Sequence, residues 1–287
     1  MKKIILIFIS FFALNLSAKD LVVGMELGYP PFEMSDKTGK ASGISVDFLE
    51  AFAKKNGYKL VVKNIAWDGL IPALKTAKID LIMSSMTITD ERKKVVDFSI
   101  PYAKANLAIL TPLNSDITNI KDLDKKGKVL ALKRGSTGHL YAVKNLKNAT
   151  INLFDKENAA ILEVIQGKAD GFFYDQLTIY RTWQKHQDTT RAILAPFQEN
   201  PEFWGIAVQK GNAELKKELD EFIAESKKDG LFDSLGEKYL KDVKDTFKKN
   251  NLEFLFLRRI FLLRLQSFPQ AFALANSIHP LIQKLRV

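Results

Sequence analysis

One pattern occurs twice in this chain and limits the folds open to it. Leu70–Ser85 (LIPALKTAKIDLIMSS) and Ala160–Asp175 (AILEVIQGKADGFFYD) both read as helix, short turn, Lys-x-Asp and apolar strand. Aligning Lys78 with Lys168 and Asp80 with Asp170 sets Ser85 opposite Asp175. Each then stands at the C-terminal end of an apolar strand, where open α/β sheets bind ligands. Two similar lobes facing each other across a cleft follow from that echo.

The flanking chain agrees. Leu21–Val23 reads as a strand, followed by the turn-rich run Gly28-Tyr29-Pro30-Pro31-Phe32. Val46, Leu49, Phe52 and Ala53 recur at helical spacing, with Gly57 as C-cap. Leu60–Val62 is a strand, Asp68 caps a helix carrying Pro72 in its first turn, and Ile79–Met83 is a strand. Such alternation predicts α/β layers with mostly parallel sheets. A length of 287 residues, 46% of them hydrophobic, accommodates two lobes with buried cores.

The chain has no cysteine, which excludes disulfide scaffolds, Cys-ligated zinc, iron–sulfur clusters and thiol nucleophiles. Its net charge of +10 is concentrated at the ends: residues 1–18 carry +2 and residues 250–287 carry +4, leaving +4 for the 231 between. There lysines are interspersed with acids, the pattern of a solvated surface, so no nucleic-acid partner is expected. Residues 1–18 read as a secretory signal peptide: Lys2-Lys3, an apolar run from Ile4 to Leu16, then Ser17-Ala18 for cleavage. The run is too short to span a bilayer as an anchor, and without cysteine no lipid-anchored N-terminus forms. In residues 250–287 basic usage switches from lysine to arginine. That tail is read as atypical: a read-through, a truncated fusion or a surface helix.

Further residues carry a resemblance. GYPPFE (Gly28–Glu33), GISVDFLEAFAKKNG (Gly43–Gly57), WDGLIPALKTAKIDLIMSSMTITDERKKVVDFSIPY (Trp67–Tyr102) and KADGFFYDQ (Lys168–Gln176) together resemble the extracellular solute-binding proteins, family 3, the polar amino-acid-binding proteins of ABC importers. The resemblance runs from about Leu21 to Val243. It implies an α/β two-lobed periplasmic binding protein fold (type II), each lobe a mixed, mostly parallel sheet flanked by helices. Lobe 1 would take 19–104 plus 205–249 and lobe 2 105–204, with hinge strands near Leu107–Leu110 and Gly205–Val208. The partners implied are a free L-amino acid and an inner-membrane permease with its ATPase. The protein itself would be a periplasmic monomer without cofactor, metal or catalytic residue.

A free amino acid presents a carboxylate, an ammonium and a side chain. Arg92 is the candidate for the carboxylate, since a guanidinium fork matches both oxygens, although Thr-Asp-Glu-Arg also reads simply as a helix start. Thr87 and Thr137 would assist, with backbone N–H groups of the loop Gly135-Ser136-Thr137-Gly138 ahead of a helix at His139–Lys147. Ser84 supports the pocket. Asp175, with the Ser85 carbonyl and Thr87 hydroxyl, would hold the ammonium; helix capping is the other reading of Asp175. By resemblance Tyr29 and Trp67 wall the ligand side chain, core packing remaining open for Trp67. Glu26 and Lys133 fall where the family reads that side chain. Together they favour glutamine; Glu26 alone favours lysine or arginine.

Two other classes share the fold. Cyclohexadienyl dehydratases would carry a catalytic Glu at the position of Asp175. Sensor modules would need further membrane and effector segments, which leaves the tail open as the start of a fused permease. No His-Glu-x-x-His, Gly-x-Ser-x-Gly or Walker motif occurs, and the histidines are His139, His186 and His279. The chain is therefore read as a binder, not an enzyme.

Overall fold

The computed structural model describes residues 18–249. Residues 1–17, nearly all of the segment read as a signal peptide, and the 250–287 tail lie outside the described residues. From β1 (Lys19–Met25) the chain passes a small ribbon, β2 (Met34–Ser35) and β3 (Ala41–Ser42), then α1 (Ile44–Asn56), β4 (Tyr58–Asn64) and α2 (Trp67–Lys75). β5 (Leu81–Ile82), the single turn α3 (Asp90–Lys93) and β6 (Val96–Phe98) follow, and β7 (Ala103–Ala105) leads out. The next stretch comprises β8 (Leu107–Pro112), α4 (Ile120–Leu123), β9 (Val129–Lys133), α5 (Thr137–Asn145), β10 (Thr150–Phe154), α6 (Glu157–Ile165), β11 (Phe172–Asp175), α7 (Gln176–Lys185) and β12 (Thr190–Ile193). β13 (Glu202–Trp204) returns to β14 (Ala207–Gln209), and α8 (Ala213–Asp229) and α9 (Leu231–Lys249) close the described chain.

The first sheet has the order β4-β1-β5-β14-β6. β1 is parallel to β4 and β5, whereas β14, arriving from the far end of the sequence, is antiparallel to β5 and β6. The second lobe holds β11-β8-β12, antiparallel throughout, and the parallel pair β10-β9, with a bridge from Leu130 to Gly171. Both lobes are thus mixed sheets: crossover helices deliver the parallel strands and returning segments the antiparallel ones.

The strands that run between the lobes differ from those expected. Leu107–Leu110 is part of β8, the central strand of the second lobe, and Ala207–Val208 belongs to the first sheet. The connecting ribbon is the antiparallel pair β7–β13, with Ala105 opposite Glu202 and Ala103 opposite Trp204. Apolarity marked both β8 and β14 because each is buried within a lobe, which says nothing about crossing between lobes.

The repeated pattern has a common physical basis. Asp80 donates its N–H to the Val22 carbonyl and accepts the Val22 N–H on its side chain, both at 2.7 Å. Asp170 does the same to Val129, at 2.7 and 2.8 Å. Each Lys-x-Asp therefore pins the strand after a crossover helix against the first strand of its unit. Helix α1 buries Phe48, Leu49 and Phe52, against which Phe222 of α8 and Phe232 of α9 pack with ring centroids 5.1–5.4 Å apart. It ends at Gly57, whose φ of 73° a glycine adopts without strain. Helix α2 begins at Trp67 with Ala66 before it and no side-chain cap, so Asp68 lies inside the first turn rather than capping it, and Pro72 sits mid-helix. Among the described residues no helix is long and apolar enough to cross a membrane.

Candidate functional site

The ends of β1, β5 and β11, the starts of α3 and α5, and β13 converge on one cleft enclosing about 500 Å³, part of it open to solvent. Ten of the twelve residues singled out from sequence line it: Glu26, Tyr29, Trp67, Ser84, Ser85, Thr87, Arg92, Ser136, Thr137 and Asp175. Lys133 and Gly135 reach it through contacts to Glu26 and Arg92.

Arg92 is placed by a cap. The Thr89 hydroxyl accepts the Arg92 N–H at 3.2 Å and starts α3. Arg92 is 8% exposed; Nη1 donates to the Thr87 carbonyl at 2.6 Å and Nη2 to the Gly135 carbonyl at 3.2 Å. It lies 5.2 Å from the Trp67 ring centre, a cation–π distance. Burial lowers its pKa to about 10, which leaves it charged at neutral pH. The glycine loop differs from the expectation of N–H donors alone: the Gly135 carbonyl points into the cleft, accepting from Arg92 and from Trp67 Nε1, while its N–H donates to His139 Nδ1. Gly135 has φ 70°, and a Cβ on Gly138 would meet the Phe173 carbonyl oxygen at 2.7 Å, so α5 packs on β11 only with glycine there. Helix α5 starts earlier than expected, at Thr137, because the Ser136 hydroxyl caps it by accepting the His139 N–H.

The Thr87 and Thr137 hydroxyls both donate to Glu202 Oε2, each at 2.9 Å. Sequence reading missed Glu202. The available signal was an acid in PEFWGIAV, an otherwise apolar run returning between lobes. Reduced hydration raises its carboxyl above the ordinary range, opposed by the two threonines, Gln198 and the Arg92 charge.

Of the two readings the sequence left open for Asp175, the structure displays the helix cap, and a second carboxylate oxygen faces the cleft. Its Oδ1 caps α7, accepting the Leu177 and Thr178 N–H groups at 3.0 Å, and its Oδ2 accepts the Tyr29 hydroxyl at 2.5 Å. Burial pushes its carboxyl up. Tyr29 therefore reaches across the cleft rather than serving only as a wall; its ring stacks on Phe32 and meets Trp204 and Tyr174 edge-on. Opposite Asp175, Ser85 adopts φ 48° and its hydroxyl donates to Glu33 at 3.1–3.2 Å. Glu33 is wholly buried, also accepts from Ser45, and has its pKa raised by burial to about 8. It was read only as part of a motif.

At the far end, buried Lys133 pairs with Glu26 across the cleft and lies 5.5 Å from the Trp67 ring centre. Ser84 accepts the Glu26 N–H at 3.0 Å. Half-buried Glu157, at the start of α6, joins this end; burial, and then the charge of Asp175, raise its pKa to about 8. Arg134 faces away, paired with exposed Asp155. Among the described residues no cluster of three His, Cys, Asp or Glu side chains is arranged to hold a metal ion. The cleft thus offers a cation, two hydroxyls and the Glu202 carboxyl they donate to at one end, Asp175 in the middle and an ion pair at the other end. That order complements a small zwitterion with a polar extension.

The sequence profile of the bacterial extracellular solute-binding proteins, family 3, matches residues 21–242. The chain is 31% identical over 219 residues to an L-cystine-binding protein of Escherichia coli, covering 76% of this chain and 82% of the relative. It is 31% identical over 229 residues to an L-arginine-binding protein of Pseudomonas aeruginosa, covering 77% and 88%. Among solved structures, an ancestral arginine-binding protein bound to arginine superposes with a TM-score of 0.72 at 36% identity, covering 78% of this chain and 99% of that one.

Proposed function

The chain belongs to the bacterial extracellular solute-binding proteins, family 3, and from that premise we propose that it is the substrate-binding component of an amino-acid ABC importer. It closes two lobes, 19–104 plus 205–249 and 105–204, around a polar or basic L-amino acid. It then delivers that ligand to an inner-membrane permease with its ATPase. It works as a periplasmic monomer after loss of residues 1–18.

The observation that carries this reading is the distribution of polar groups. Arg92 and Thr87 come from one lobe, Thr137 and Asp175 from the other, and all four line one cleft. A carboxylate on Arg92 and an ammonium on Asp175 are both satisfied only when the lobes meet, so ligand binding favours closure. A guanidinium that stays charged when desolvated suits the first task. The second draws on a buried carboxylate whose own partners, a phenol and two backbone N–H groups, are all neutral. The Glu26–Lys133 pair supports a side chain with both donor and acceptor character, glutamine among them; Glu26 alone would select lysine or arginine. The ligands named for the relatives add cystine to that set.

Calorimetric titration of ligand-stripped protein with the twenty amino acids tests this. Arginine, lysine, histidine, glutamine, glutamate and cystine come first. Saturable binding of one or a few is expected. Heat from none of them would remove the transport reading, and a dehydratase assay on cyclohexadienyl substrates would follow.

A further inference from the structure

Two threonines on opposite sides of the cleft share one acceptor. Thr87, ahead of α3, and Thr137, first residue of α5, both donate to Glu202 Oε2 at 2.9 Å, and Gln198 Nε2 donates to Oε1 at 3.2 Å. Glu202 lies on β13, in the ribbon that joins the lobes, and the Arg92 charge acts on it. A carboxyl of the protein therefore already stands among the donors that the proposed function assigns to the ligand's carboxylate, and the inference rests on that assignment.

Two carboxylates sharing one poorly hydrated site do not both ionise cheaply; one of them holds a proton. An amino acid's α-carboxyl is the stronger acid, with a pKa of roughly 3.5 or below, so the proton belongs on the glutamate. We propose that docking of the ligand carboxylate on Arg92 draws one proton from solvent onto Glu202, making Glu202 the residue through which affinity falls as pH rises. The ligand stays a zwitterion, and no other proton changes place in this step. Protonated Glu202 keeps an acceptor for the threonines and gains an O–H that can donate to the incoming carboxylate.

The groups facing Glu202 are Arg92 from α3, the hydroxyls of Thr87 and Thr137, and the Gln198 amide. Glu91 and Tyr174 act on Arg92 in turn. On α5, His139 accepts the Gly135 N–H, and burial lowers its pKa. At the ammonium end Asp175 and Glu157 are both raised and titrate on their own account. The total proton count on binding mixes these groups. The difference between wild type and Glu202→Gln isolates Glu202.

The experiment is calorimetry on the full chain with L-arginine, L-lysine, L-glutamine and L-cystine, at pH 5 and 8, in buffers of different ionisation enthalpy. At pH 8 the wild type should take up about one proton more than Glu202→Gln on binding. Glu202→Gln should bind roughly tenfold more tightly at pH 8, the affinities converging to within about twofold at pH 5. Equal proton uptake in the two proteins, or weaker binding by Glu202→Gln at pH 8, overturns the proposal while leaving the amino-acid reading intact. Glu202→Ala repeats the comparison, with the same expected loss of uptake, should the amide variant not fold. No binding of any of the four ligands overturns both the proposed function and this inference.

Discussion

The two copies of the repeated pattern agree at one position and part at another. Asp80 and Asp170 make the same pair of bonds to the first strand of their units. Five residues later, Ser85, just beyond β5, and Asp175, the last residue of β11, do different work. Ser85 is held in the left-handed region with its hydroxyl on buried Glu33, whereas Asp175 caps α7 and takes the Tyr29 hydroxyl from across the cleft. The aspartates serve the fold, which both halves need alike. The strand ends line the cleft, and under the proposed function each would meet a different part of an asymmetric ligand.

The largest effects should come from the asymmetric positions. Asp175→Asn removes the charge facing the ligand ammonium while keeping the size and much of the cap, and should weaken binding at least about a hundredfold. Arg92→Ala should nearly abolish binding, because a desolvated ligand carboxylate left unpaired costs several kcal/mol. Both variants should keep their circular dichroism and cooperative unfolding. Retention of affinity within tenfold in either one would overturn the role given to that residue.

The symmetric positions should instead affect stability. A hydrogen bond to a charged acceptor contributes about 1.5–3 kcal/mol; these two are part-buried, so Asp80→Ala and Asp170→Ala should each lower unfolding free energy by about the lower figure. Asp170 should cost slightly more, since Lys128 pairs with it at 3.2 Å. Denaturant titration of both variants checks this. A difference of more than about 2 kcal/mol would break the structural equivalence.

The halves also match in holding one carboxyl each at about pH 8, Glu33 in the first and Glu157 in the second, mainly through burial. A folded-state pKa above the unfolded value means that the native protein binds a proton the unfolded chain releases. The stabilisation is complete below about pH 4.5 and is lost as pH rises through about 8. Unfolding free energy should therefore fall across that window, by up to about 1.4 kcal/mol per pH unit for each group. Glu33→Gln should remove about half of that slope, the other half resting on Glu157, whose carboxyl is raised to the same value. A flat wild-type profile between pH 5 and 8 would refute the assignment.

What the sequence made legible was whatever repeats locally or obeys a period. Helix α1 with its Gly57 stop, the Thr89 cap that positions Arg92, and the Lys-x-Asp echo all lie within a few residues of their partners. What stayed hidden depends on contacts between distant segments. Glu202 meets Thr87 and Thr137 across separations of 115 and 65 residues, and Glu33 meets Ser85 across 52. In the sequence each is one acid among many, with no periodic pattern to separate it from surface charge. The crossover strands failed for a related reason: burial inside a lobe and passage between lobes look alike as apolar runs, and the ribbon that does connect them carries a glutamate.

The smallest effect should fall at Ser85, although it mirrors the most sensitive position. A non-glycine residue at φ 48° carries backbone strain of about 1 kcal/mol. Ser85→Gly relieves it but removes the hydroxyl that donates to Glu33, a loss of about the same size. The two nearly cancel, so stability should change by less than about 1 kcal/mol. The ammonium would still find the residue 85 carbonyl, so binding should weaken only a few-fold, by calorimetry with the ligand that the amino-acid panel identifies. The variant distinguishes two uses of a strand end: a backbone oxygen survives any side-chain change, whereas a carboxylate does not. Loss of affinity in Ser85→Gly as large as in Asp175→Asn would mean that the hydroxyl itself reads the ligand, and the contrast between the two strand ends would collapse.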